Sequence, residues 1–127
     1  MRLNRKLDLI QKAALEKKAA DSIALDVKGA CSFADLFFIC NGLQKRQTQA
    51  IAEAIQEALK KQKILPSHVE GYATGEWILM DYGDLIVHIF TPERRDFFNL
   101  ERLWGDVPRW EIVEKPKKKR TSGVRRG

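Results

Sequence analysis

No stretch of about 18 consecutive apolar residues occurs in this 127-residue chain, which predicts that it does not span a membrane as a helix. Cysteine is nearly absent. Cys31 and Cys40 stand apart in apolar or small-residue surroundings, with no CxxC and no nearby histidine. This argues against a zinc site or a disulfide framework and predicts free, partly buried thiols in a reducing compartment. A phosphate-binding loop is also lacking, because Gly71, Gly75 and Gly83 have no Lys-Ser/Thr behind them and none opens a helix directly after a strand. A secretory leader is not expected either: the first six residues are basic, but Asp8 and lysines follow where an apolar segment would be needed. The cytosol of a bacterium fits these features.

Charge of one sign is missing from most of the chain, despite a net charge of +6. Residues 114–127 hold seven of the 23 Lys/Arg and a single acid, Glu114, which leaves 16 bases and 16 acids in residues 1–113. The body is neutral and the tail carries the whole excess, so the high isoelectric point does not describe a basic face on the folded domain. The tail, rich in Lys, Arg, Pro, Ser and Gly with one Val, is too poor in apolar residues to offset chain entropy and is expected to be disordered alone. The expected division is one domain over 1–113 and a basic tail over 114–127.

What the body contains is alternating periodicity. Leu3, Leu7, Ile10 and Ala14 trace one face of a helix to about Ala20. Ile23, Leu25 and Val27 then alternate as a half-buried strand, and residues 36–40 are apolar on both faces, as in a central strand. Ala50, Ile51, Ala54, Ile55, Ala58 and Leu59 form a helical stripe within about 44–63, stopped by Pro66. Residues 67–71 suit a short edge strand and 72–75 a mobile loop. Residues 76–80 and 84–90 form a hairpin through Asp81-Tyr82-Gly83. Thr91-Pro92-Glu93 opens a third helix that carries Phe97, Leu100 and Trp104. The order predicts an α/β fold, a mixed sheet of about five strands flanked by helices.

Asp81, Asp84 and His88 are the best catalytic candidates, since two carboxylates at a turn could hold a divalent metal and a histidine could shuttle protons. Aspartates beside Gly83 are nevertheless common as turn caps, and His88 alternates with Val87 and Ile89 in a strand. No metal, cofactor or catalytic residue is expected. The aromatics point elsewhere. Trp77 at the start of a hairpin strand, Tyr82 at the hairpin tip and Phe97 beside Arg94 and Arg95 have the chemistry of interface anchors with a polar rim.

Residues 20–27, 35–42, 69–71, 76–90 and 100–104 (ADSIALDV, DLFFICNG, VEG, EWILMDYGDLIVHIF and LERLW) together resemble the ribosomal silencing factors, or Iojap-like family. The resemblance implies a nucleotidyltransferase-like fold that has lost catalysis. An active nucleotidyltransferase would show a Gly-Ser pair before paired acids on a strand, and this chain contains no Gly-Ser pair. The resemblance further implies binding to the large ribosomal subunit through its protein numbered fourteen, a steric block to subunit joining, and lower translation when nutrients are short. Chemistry and family position put Trp77, Leu79, Asp81, Tyr82, Arg94, Arg95 and Phe97 in the contact patch. The tail cations Lys117, Lys118, Lys119, Arg120, Arg125 and Arg126 are expected to meet rRNA phosphates. The same apolar patch is compatible with a symmetric homodimer of the free protein. The rival readings are a metal-dependent enzyme acting on a nucleotide or RNA through Asp81, Asp84 and His88, and a general RNA-binding domain, which the neutral body disfavours.

Overall fold

The computed structural model describes residues 2–111. The elements follow the order α1 (Leu3–Glu16), β1 (Ala20–Asp26), β2 (Leu36–Asn41), α2 (Lys45–Lys60), β3 (His68–Glu70), β4 (Trp77–Asp81), β5 (Leu85–Phe90), α3 (Pro92–Phe98), α4 (Leu100–Leu103) and β6 (Arg109–Glu111). Among the described residues no helix is long and apolar enough to cross a membrane.

One six-stranded sheet runs β3-β4-β5-β2-β1-β6. Only β2 and β5 pair in parallel, and the other four pairings are antiparallel. The central position of β2 and β5 explains their composition: every residue of both strands is buried, so neither shows the alternation of a one-sided strand. β6 goes beyond the five strands expected from the sequence, because three residues, Arg109-Trp110-Glu111, carry too short a pattern to mark a strand. Their pairing with Ile23, Ala24 and Leu25 covers the edge of β1.

The sheet has two unlike faces. On the first, α1 buries Leu7, Ile10, Ala13 and Ala14, and α2 buries Ile51, Ala52, Ile55 and Leu59. They pack on Phe38, Cys40, Ile78, Met80, Val87 and Ile89 as the larger core. Lys6 of α1 closes this side by pairing with Asp84 at 2.7 Å and donating to the Tyr82 carbonyl at 3.2 Å. The second core, with Leu25, Phe37, Ile39, Ile86 and Phe90, is covered by Leu100, Trp104 and Val107. Two short helices cover less than two long ones, so Trp77 and Leu79 remain only partly buried.

The third helix breaks at Asn99, whose φ of 46° is left-handed; its side chain then accepts from the Arg102 amide and starts α4. Thr91 occupies the cap position of α3 without a side-chain cap bond, so Pro92 at the first turn carries the start signal. The loop over 72–75, expected to be mobile, is tied to α2. Gln49 Nε2 donates to the Tyr72 carbonyl at 2.8 Å, Thr48 Oγ1 donates to the Gly75 carbonyl at 2.6 Å, and the Tyr72 hydroxyl meets Glu53.

Candidate docking surface on the open face

Strand parity decides which side chains of the hairpin can share a surface. Trp77, Leu79 and Asp81 alternate with the buried Ile78 and Met80, and so project from the less covered face. There the Trp77 indole lies 5.1 Å from the Phe90 ring, nearly parallel to it, and 4.6 Å from Phe98. Phe98 in turn meets Phe97 edge-on at 5.0 Å, and Phe97 is 73% exposed, so an aromatic chain runs from the core to solvent. Arg94 sits at its rim, with Nε 3.1 Å from Glu76 and its guanidinium 6.0 Å from the Phe97 centroid.

Beneath Trp77 lies His88, 4% exposed and edge-on to Phe37 at 4.8 Å. The Trp77 Nε1–H donates to His88 Nδ1 at 3.1 Å. Burial pushes the imidazole down to about 3, so at neutral pH it is uncharged and Nδ1 keeps the lone pair that accepts this bond. The proton of the neutral ring therefore sits on Nε2, which finds no partner among the described residues.

Two residues expected in the patch lie behind it. Tyr82, 6% exposed, packs into the core under α1 and α2, and burial pushes its hydroxyl up to about 12. Five positions separate Tyr82 from Trp77, an odd spacing that places the two on opposite sides of the sheet. Arg95, 8% exposed, is a crosslink and not a rim residue. Its Nη2 and Nε meet Glu101 Oε2 at 2.8 and 3.0 Å, and Nη1 donates to Asn41 Oδ1 at 3.1 Å and to the Asp21 carbonyl. It thereby joins α3 to α4, β1 and β2. Phe98, adjacent to Phe97 on α3, belongs to the patch as well: it seats on Trp77 and remains 39% exposed, against 73% for Phe97.

The catalytic constellation does not assemble. Asp81 Oδ1 accepts from the Gly83 amide at 2.8 Å as a turn cap, Asp84 is held by Lys6, and His88 is committed to Trp77. No group of three or more His, Cys, Asp or Glu suited to a metal occurs among the described residues. At the carboxyl ends of the parallel pair the chain leaves β2 for α2 on one face and β5 for α3 on the other, the place where open α/β sheets bind ligands. The β2–α2 junction there reads Gly42-Leu43-Gln44, and Lys45, Glu76 and Glu93 line the crevice, two carboxylates against one ammonium.

A family model described as "Ribosomal silencing factor during starvation" matches residues 1–126. The chain belongs to the ribosomal silencing factor family. A curated ribosomal silencing factor from Halalkalibacterium halodurans is 42% identical over 106 residues, covering 84% of this chain and 91% of that protein. The chloroplastic protein Iojap of Zea mays is 32% identical over 105 residues, which are 81% of this chain and 45% of that longer protein. A crystal structure of a protein from Chromobacterium violaceum superposes with a TM-score of 0.80 at 33% identity, covering 83% of this chain and 88% of that one. The silencing-factor resemblance seen in the sequence is thus the family, and the mixed α/β sheet is its fold. The tail cations Lys117, Lys118, Lys119, Arg120, Arg125 and Arg126 lie outside the described residues, as does the expected domain boundary at 113.

Proposed function

We propose that this chain acts by occupancy. It binds the large ribosomal subunit at the protein numbered fourteen, on the face that meets the small subunit, and bars the two from joining. Translation falls as a result when nutrients are scarce. No catalytic step enters, and the setting is the cytoplasm. Family membership supports the ribosome as partner, and one observation carries the choice of surface: the partly buried Trp77, seated on Phe90 and Phe98, continues to the outward Phe97 as an aromatic patch. Trp77, Leu79, Phe97 and Arg94 form the contact, with Asp81 at its edge; Arg95 braces α3 beneath it, and Tyr82 lies in the opposite core. A stable block needs roughly 1,200–2,000 Å² of total buried surface, within reach of a face of this size. Tail cations add contacts to rRNA phosphates, and in the free protein the same patch pairs two copies.

The test is sedimentation of purified small and large subunits with this protein. It should comigrate with the large subunit and reduce joined particles. Trp77→Ala should weaken binding by about 2 kcal/mol, roughly 30-fold, as for an interface anchor. Phe97→Ala, at an exposed site, should weaken it without loss of stability. Free migration with unaffected joining would sink the proposal.

A further inference from the structure

The Trp77 indole makes one polar bond among the described residues, and its acceptor is the least expected group in the core. A partly buried indole at the margin of a core has room to turn about χ1 and χ2, and ring contacts such as those with Phe90 and Phe98 constrain tilt less sharply than a hydrogen bond does. Only His88 supplies direction, because a hydrogen bond falls off steeply with angle whereas ring stacking does not. The imidazole is itself held by Phe37 at 4.8 Å and by Phe90, whose ring lies nearly parallel to it at 6.2 Å. A buried polar ring whose Nε2–H finds no partner among the described residues is a liability that a leucine at position 88 would avoid. Nothing in the packing of the second core asks for a nitrogen there.

We infer that His88 is a positioning residue for the docking surface, fixing the Trp77 indole in one orientation through Nδ1 before any partner arrives. The inference rests on Trp77 being the anchor proposed above. Its physical content is preorganisation: an anchor already held in its bound rotamer does not lose that freedom on binding. His88 itself contributes no contact to the partner, since it is 4% exposed.

The measurement combines the free protein with its complex with purified large subunits. In the free protein, nitrogen-15 spectra of the tryptophan indoles should show the Trp77 N–H exchanging with solvent at least about tenfold more slowly than that of Trp110, because a bonded proton is protected. His88→Phe keeps an aromatic ring and removes the acceptor, and should abolish that protection and weaken large-subunit binding by about tenfold. His88→Gln, whose side-chain oxygen can accept the indole proton, should recover most of both. In a Trp77→Phe background, which lacks the donor, His88→Phe should change affinity by less than about twofold, since coupled groups are not additive. A His88→Phe protein that binds as wild type while Trp77→Ala binds poorly overturns the inference and leaves the patch standing. Normal binding by Trp77→Ala overturns the patch, and with it this role of His88. Should His88→Phe fail to fold, an unprotected Trp77 indole in the wild-type protein overturns the inference, and protection together with a wild-type-like His88→Gln supports it.

Discussion

An imidazole sealed among Phe37, Phe90 and Trp77 has to remain uncharged, and this ties the stability of the fold to pH. His88 titrates near 3 in the folded chain and near its ordinary 6.5 when unfolded, so unfolding takes up a proton at any pH between. Its contribution is full above 6.5 and is lost as the pH falls toward 3, by up to about 1.4 kcal/mol per pH unit. Denaturant unfolding should therefore show the protein about 2 kcal/mol less stable at pH 5 than at pH 7, with a much smaller loss in His88→Gln. Parallel losses in the two proteins would refute this account. The neighbouring residues show where residue-level reading stops. Trp77 and Phe97 could be singled out because large aromatics beside arginines suit an interface. Tyr82, an aromatic at a hairpin tip, suits an interface equally well yet faces the opposite core, and Arg95 differs from Arg94 only in helix phase, yet Arg95 is sealed against Glu101 and Arg94 stands in solvent.

The strands and long helices were legible because each carries its own period: Leu7, Ile10 and Ala14 in α1, Ile51, Ile55 and Leu59 in α2, the apolar runs of β2 and β5. What escaped depends on partners remote in sequence. β6 is a strand only because β1 offers an edge, and the loop over 72–75 is fixed by three side chains of α2. The β3–β4 connection offers a test at this scale. Gly71 has φ +81°, and a Cβ there would lie 1.9 Å from the Trp77 carbonyl oxygen. Gly83 has φ +87° and nothing within 4 Å of such a Cβ. Gly83→Ala should thus cost about 1 kcal/mol of stability from backbone strain alone. Gly71→Ala should cost about 2–3 kcal/mol, since strain and steric displacement of β4 add, and should also weaken large-subunit binding by moving Trp77. Equal losses in thermal unfolding would mean that the loop yields without disturbing the strand.

At the scale of the molecule, one face of the sheet is closed by α1, α2 and the Lys6–Asp84 pair, and the other is left partly open; a two-sided core and a one-sided patch follow from the unequal length of the helices. The body is neutral and residues 114–127 carry the whole excess of positive charge. If several of the tail cations meet phosphates, log affinity should fall with log salt by about 0.7–0.9 per contact, and removal of residues 115–127 should flatten that slope while leaving the effect of Trp77→Ala unchanged. An unaltered slope would place those cations in solvent. The sheet order gives this arrangement a further meaning. β4, which bears Trp77, and β6, from which the tail continues, are four strands apart, roughly 19 Å across the sheet at about 4.8 Å per strand. A body pinned at one point can swivel about it; a tether that leaves the body this far from the anchor would, once its cations meet phosphates, narrow that swivel and give the body a compass heading.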